Sequence, residues 1–338
     1  MDEKLRSCAL ICEYNPFHFG HAYQLSELKK EFPAVVCILG GNLTQRGTVA
    51  VADRYARAEV ALLHGADVVF ELPVPWCFAS AEDFAFGGVS IAKRLGVSAL
   101  AFSAESEEAT LRKALQNKQE KKAELTSLLH DAHLSYPRAV EQVCGIPLAD
   151  HPNDILGLCY LEQSGDLPAF VIRRNDAFLS SRAIRSAKDP LPLLPEGSET
   201  LYPFRDDEKI FPFLLASFRL SPEKAVYGMT PELFAAMKKA SAQTNDRDSF
   251  FSLCTGKQFT LSRVRRALWA NALQIPKSLP HTDPPYALLL AANETGHRFL
   301  HETRKTRTIP VVTRPGTLRS DPVFRLTTRT DDILTAFF

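Results

Sequence analysis

An α/β fold built on a doubly wound parallel sheet is predicted by three features of the 338-residue sequence. Apolar runs of five or six residues alternate with helical patterns through the first hundred residues, each run stops at a polar or glycine-containing turn, and the patterns beyond residue 203 are mainly helical. Short apolar runs are the mark of strands buried on both faces, and strands alternating with helices join in parallel through right-handed crossovers.

Taken in order, residues 8–12 (CALIC) form the first strand, and Glu13, Tyr14, Asn15 and Pro16 turn the chain. Leu25 and Leu28 then recur at helical spacing from His21. Residues 34–39 (AVVCIL) are the second strand, followed by the loop GGNLTQRGTVA. Asp53 caps a helix carrying Ala56, Val60 and Leu63 on one face; Arg54 and Arg57 on that helix read as solvent-facing and without a catalytic role. Residues 67–72 give a third strand and 97–102 a fourth, with a helix between them, which completes a Rossmann-like core.

From about 105 to 150 a charged helical insertion is expected, and the segment HPNDILGLCYLEQSG follows it as a helix. A fifth strand, 168–172, runs into Arg173 and Arg174. The proline-rich stretch 188–203 closes a first domain at about residue 190, leaving 204–338 as a mainly helical, basic domain with a short α/β unit near its end.

Composition narrows the function. A 45% hydrophobic content with mixed charge excludes a disordered chain, and the longest apolar runs fall far short of a membrane span. The apolar part of MDEKLRSCALIC is too short for a signal peptide, so a cytoplasmic location without a membrane partner is expected. Seven cysteines at 8, 12, 37, 77, 144, 159 and 254 include no Cys-x-x-Cys pair and read as buried free thiols, with no metal site assigned. Net charge is only +1, but it is unevenly placed: from Thr255 onward 13 Lys and Arg face 6 Asp and Glu, against 27 facing 33 before it. The basic C-terminal third would draw a polyanion such as RNA. No P-loop, GxGxxG, HExxH or Ser-His-Asp order is present.

The chemistry concentrates at the first turn. A helix starting after a strand's carboxyl end offers free N–H groups and a dipole to an anion, and His18 and His21 add side-chain donors beside a close-approach glycine, Gly20. Such donors stabilise charge that moves during attack at an α-phosphate. The same two histidines also fit surface residues or half of a metal site. Asn42, Gln45 and Arg46 in the second loop offer further donors. Arg173 and Arg174 end a strand, Ser181 and Arg185 sit at a short helix, and Asn153 reads first as a helix cap.

EYNPFHFGH resembles the signature of the HxGH nucleotidyltransferase superfamily, and in particular its tRNA(Met) cytidine acetate ligase branch. GGNLTQRG is similar to that branch's SGNFVQRG loop, LSSRAIR to its SATAIR motif, and the stretch from Lys257 to Arg266 to its KRYTxTRxxR segment. The resemblance runs from residue 8 to the C-terminal α/β unit. It implies that ATP is held by the first turn: Ile11, Cys12, Glu13, Tyr14, Asn15, Pro16 and Phe17, then His18, Phe19, Gly20, His21, Ala22, Tyr23 and Gln24. Ser103, Asn153, Arg173, Arg174, Ser181 and Arg185 complete that set by the same resemblance, with His18 and His21 catalytic. Asn42, Gln45 and Arg46 become a substrate loop, and Lys257, Arg263, Arg265 and Arg266 tRNA contacts.

The implied reaction activates acetate with ATP, magnesium accompanying the nucleotide without a dedicated protein site, and acetylates N4 of the wobble cytidine of elongator tRNA(Met). Ser103 stands where the family has glycine, Arg182 replaces a small residue, and family members continue for several tens of residues beyond DDILTAFF. Those departures keep a catalytically impaired tRNA-binding homologue open, beside an adenylyltransferase acting on a small phosphate-bearing metabolite. Neither the oligomeric state nor the acetate pocket is legible.

Overall fold

A computed structural model describes residues 5–130, 134, 136–148, 151–222 and 225–338, so Met1 to Lys4 and parts of the 105–150 insertion lie outside the described residues. The strands are β1 (Ser7–Cys12), β2 (Ala34–Gly40), β3 (Val68–Leu72), β4 (Ala99–Ala104), β5 (Ala169–Arg173), β6 (Ala287–Ala292) and β7 (Val311–Val312). They form one sheet in the order β5-β4-β1-β2-β3-β6-β7. The first five pair in parallel, and the chain order reverses between β1 and β4. That reversal opens a crevice at the carboxyl ends of β1 and β4, the place where open α/β sheets bind ligands.

Alternate residues of each strand enter two different cores. Ala9, Ile11, Val36, Ile38 and Phe70 belong to one cluster and Cys8, Leu10, Val35, Cys37 and Val69 to the other. Both faces are therefore covered, as a parallel sheet requires. The covering helices begin with α1 (Phe19–Glu31), α2 (Arg54–Leu63) and α3 (Ala81–Leu95). The insertion supplies α4 (Glu108–Glu120), α5 (Lys122–His130) and α6 (Tyr136–Cys144), followed by α7 (Pro152–Ser164) and the short α8 (Ser181–Arg185). Beyond the prolines come α9 (Phe211–Leu220), α10 (Pro231–Gln243), α11 (Arg247–Cys254), α12 (Leu261–Leu273), α13 (Glu294–Glu302) and α14 (Pro322–Thr335). All seven cysteines are free thiols and six are buried. Among the described residues no helix is long and apolar enough to cross a membrane.

Two features tie the C-terminal third to the sheet. The apolar run expected at 286–291 becomes β6, which pairs antiparallel with β3 (Val68 opposite Ala292) and so extends the same sheet. α14 returns to α2, where both carboxylate oxygens of Asp331 accept from the Arg54 guanidinium at 2.7 and 2.8 Å. Arg54 Nε stands 3.2 Å from Glu71 Oε1, an ion pair without hydrogen-bond alignment.

Arg54 and Arg57 correct the sequence reading: neither faces solvent. Arg57 is fully buried and donates to the carbonyls of Ala52, Glu13 and Gly41, which joins the turn after β1 to the loop after β2. Burial brings its guanidinium down to about 10, with Glu13 the largest opposing influence.

Candidate active site

The turn after β1 is built around its histidines. His18 caps α1, its Nδ1 accepting from Gly20 N–H at 3.0 Å, while His18 N–H reaches His21 Nδ1 at 3.3 Å. α1 thus begins two residues before His21, because this reciprocal cap satisfies its first donors. The rings stack with centroids 3.8 Å apart. A Cβ on Gly20 would lie 2.9 Å from His18 Cε1, so the spacing of the motif follows from the ring's position over the backbone. Burial pushes His18 down to about 4 and His21 well below its ordinary value; the Arg174 charge adds to both shifts. Both rings are therefore neutral near pH 7. With Nδ1 accepting in each, the ring proton sits on Nε2, and each histidine is a neutral donor.

Tyr14, Asn15, His18, Gly20, His21, Tyr23 and Gln24 line a cavity of about 1330 Å³, together with Ile11, Cys12 and Glu13. Pro16, Phe17, Phe19 and Ala22 do not line it. Phe17 is core, in edge contact with Tyr14 at 4.8 Å and stacked on His64 at 4.9 Å; Phe19 is half exposed. Gln24 Nε2 donates to Ser103 Oγ at 2.7 Å, so the serine in the glycine position is anchored to α1.

At the β4 end, Glu105 organises a network that the sequence reading missed, although a carboxylate directly after a strand was its signal. Glu105 Oε2 accepts from the backbone N–H groups of Asn153 and Asp154 at 3.0 and 3.1 Å. Its Oε1 accepts from Asn153 Nδ2 at 2.8 Å and from Arg174 Nη1 at 3.3 Å. Asn153 is not the cap that its sequence position suggested: α7 starts at Pro152 after His151, and the Glu105 carboxylate serves the helix end. Buried Asp154 answers by accepting from the backbone of Glu105 and Ser106. Arg174, Asn153 and Ser103 all line the cavity. Arg173 reaches the rim too, but it is largely exposed and sits 3.5 Å from Glu107.

Across the cavity, Ser180 caps α8, Ser181 Oγ donates to the Pro16 carbonyl at 3.4 Å, and Arg185 donates to the Asn15 carbonyl. Arg182 lies on the same rim. In the second loop Gln45 and exposed Arg46 line the cavity, whereas Asn42 does not. Asn42 is a correction: its Nδ2 donates to Asp53 and Asp331 and its Oδ1 accepts from Arg54 N–H, so its amide is consumed inside the protein.

The four basic residues read as RNA contacts separate in the structure. Arg263 and Arg266 line the cavity, and Arg266 Nη1 donates to the Gln45 carbonyl at 2.9 Å. Arg265 instead lies over the Phe251 ring at 5.2 Å, outside the cavity, and Lys257 is exposed in the loop before α12. Gly47 explains how α12 comes so near: its φ is +73°, and a Cβ there would lie 2.7 Å from Arg266 N. The basic helix packs directly on the loop that follows β2.

Comparison with known proteins places this geometry. The HIGH Nucleotidyl Transferase family model matches residues 5–338. The tRNA(Met) cytidine acetate ligases of Syntrophotalea carbinolica and Anoxybacillus flavithermus are 31% and 30% identical to the chain, over 91% and 95% of it and 85% and 92% of their own lengths. The chain belongs to the tRNA(Met) cytidine acetate ligase family of HIGH nucleotidyl transferases. A crystal structure of Thermotoga maritima TmcAL bound with alpha-thio ATP matches it with a TM-score of 0.85 at 28% identity, covering 97% of this chain and 92% of that one.

For a member of this acetate ligase family, the cavity offers two neutral imidazole N–H donors at a strand-to-helix turn, the half-buried Arg174 and the exposed Arg185. Such preorganised donors stabilise charge developing on phosphate without changing protonation state. Ligand pockets usually span roughly 300–1,000 Å³, so about 1330 Å³ leaves room beyond a nucleotide. Among the described residues no group of three or more His, Cys, Asp or Glu side chains is placed to hold a metal ion.

Proposed function

We propose that the chain is an ATP-dependent ligase that condenses acetate with ATP to acetyl-adenylate and pyrophosphate, then passes the acetyl group to N4 of the wobble cytidine of elongator tRNA(Met). The observation that carries this reading is the pair of neutral histidines whose Nδ1 atoms are occupied, leaving two Nε2–H donors in the cavity that Arg174 and Arg185 also line. Acetate's oxygen attacks the α-phosphorus; His18 and His21 donate to oxygens that gain charge in the pentavalent transition state. Arg174 and Arg185 balance the departing pyrophosphate, and magnesium accompanying the nucleotide would supply further neutralisation of its charge. Ser103 and Asn153 bound the nucleotide at the β4 end, with Glu105 fixing the Asn153 amide. The basic residues that reach the cavity, Arg263 and Arg266, lie where an RNA acceptor would enter, and phosphate contacts are their natural role. A relative's crystal structure with an ATP analogue supports the nucleotide assignment.

The test is transfer of labelled acetate into tRNA that lacks the modification, with ATP present or absent and with acetyl-CoA as a rival donor. Label that appears only with ATP, in elongator tRNA(Met), is the expected result. Histidine-to-alanine replacement at His18 or His21 should slow adenylation at least about 100-fold. ATP consumption that needs a small metabolite and no tRNA would replace the ligase with a metabolite adenylyltransferase. RNA binding without ATP consumption would leave only a binding protein.

A further inference from the structure

We infer that Glu13 is the general base of the transfer step, its Oε2 taking the proton that N4 of the acceptor cytidine loses as the acetyl group arrives. This rests on the ligase reading above. In that step the N4–C bond forms, the bond from the acetyl carbon to the AMP oxygen breaks, AMP leaves with the electron pair, and one N4 proton must be accepted. The cytosine amine shares its lone pair with the ring, so it needs a positioned acceptor for that proton.

His18 and His21 cannot accept it. Each Nδ1 already accepts a backbone N–H, and each Nε2 carries the ring proton, so neither ring keeps a free lone pair. The arginines are donors only. His151 also lines the cavity, but it stands beside Asn153 at the start of α7 with Nδ1 3.1 Å from Asp154 Oδ2, on the nucleotide side and away from the α12 wall. What remains is the cavity's set of carboxylates, Glu13, Glu82, Glu105 and Asp176.

Three of these are disposed of by their surroundings. Glu105 uses both oxygens on Asn153, Asp154 and Arg174. Glu82 accepts from Tyr136 and Lys118 and has a side chain 45% exposed. Asp176 is 93% exposed, where water competes for any proton. Each of these three has Lys118 or Arg174 at ion-pair distance, and among the described residues Glu13 has no such cation. Its Oε1 accepts the Gln45 N–H at 2.6 Å, and among the described residues Oε2 makes no hydrogen bond and no ion pair.

The position suits the task. Glu13 directly follows β1, between the histidine turn and the loop whose Gln45 carbonyl accepts from Arg266. It therefore stands where the adenylate end of the cavity meets the α12 wall. Burial raises its carboxyl above the ordinary value, and the charges of Arg46, Arg57 and Arg185 oppose that rise; Cys77 and Tyr160 are the other titratable groups that feel it. A carboxylate so placed is a stronger base than one in water.

The experiment loads the enzyme with acetyl-adenylate and follows a single turnover of transfer to unmodified elongator tRNA(Met) transcript, with adenylation measured beside it. Glu13→Gln keeps an oxygen for the Gln45 N–H but cannot accept the proton. Its transfer rate should fall by about 100-fold or more, at least tenfold beyond any loss in adenylation, and the acidic limb of the pH–rate profile should disappear. Glu13→Asp keeps a carboxylate and should retain that limb at reduced amplitude. Equal losses in both half-reactions, or an unchanged acidic limb in Glu13→Gln, would assign Glu13 to holding the loop and overturn the proposal. Wild-type enzyme that forms no acetyl-adenylate, or passes none to tRNA, would overturn the ligase reading itself and this assignment with it.

Discussion

Glu13 and Glu71 are the same residue type at the carboxyl ends of neighbouring parts of one sheet, and they have different work. Glu13 follows β1 and Glu71 is the penultimate residue of β3. Burial raises both carboxyls. Glu71 is fully enclosed and faces Arg54, which Asp331 of α14 grips with both oxygens. Glu13 forms no ion pair among the described residues and lines the cavity. Position on a strand end therefore does not decide function. What decides it is whether a distant part of the chain supplies a charged partner that closes over the group, as α14 does with Asp331 on Arg54 beside Glu71, whereas among the described residues the Glu13 carboxylate is met only by the Gln45 N–H and stays open to the cavity.

The comparison breaks most severely at Arg54. Two carboxylates, Glu71 and Asp331, depend on its charge, and a third, Asp53, lies near enough to raise its affinity for the proton. Arg54→Leu would leave Glu71 buried without a cation, which typically costs about 3–5 kcal/mol. Denaturant unfolding should show that loss. A change below about 1 kcal/mol would mean that solvent reaches the cluster and that α14 is not its lid.

A smaller effect separates the histidine turn from both acids by its sign. His18 titrates near 6.5 when unfolded and at about 4 when folded, so between these values the unfolded chain binds more protons. Its contribution is present above pH 6.5 and is lost as pH falls towards about 4, by about 3 kcal/mol in all. His21 shifts in the same direction. Glu13 and Glu71 act oppositely: with raised folded values, their contribution is full below the ordinary carboxylate range and fades as pH rises through the folded value. Denaturant midpoints at pH 7 and pH 5 should fall with pH in the wild type, and His18→Gln should reduce that slope. A slope unchanged by His18→Gln would show that the ring is hydrated.

How much of this was legible in the sequence follows from how local each interaction is. The EYNPFHFGH turn could be read because a strand, a glycine and two histidines act within a dozen residues, and the sheet core because its runs are short and apolar. Arg54 could not be read: its partner Asp331 lies 277 residues away, and a helix face with two arginines looks solvated until α14 is placed on it. Asn42 was misplaced for the same reason, since Asp331 also takes its amide. Arg263 and Arg266 were found as cations, but their separation from Arg265 depends on Gly47 letting α12 approach. Glu13 was quoted within the motif, yet its freedom became visible only when the other cavity carboxylates were seen to be occupied.

The finest test of the comparison is Glu71→Gln. Both Glu71 oxygens lack hydrogen bonds, and burial works against their charge, so the carboxylate gains little there beyond proximity to Arg54. An amide of the same shape avoids the desolvation of an ion and leaves the Arg54–Asp331 pair intact. Removing one partner of a buried pair is costly because the other charge is left uncompensated, but Arg54 keeps Asp331 as its counterion, so stability should change by less than about 1 kcal/mol. The expected pattern is therefore Arg54→Leu large and Glu71→Gln small, although both remove one member of one ion pair. Equal losses would mean that Arg54 needs two carboxylates, and that Glu71 sits under β6 as a counterion rather than as a tolerated charge.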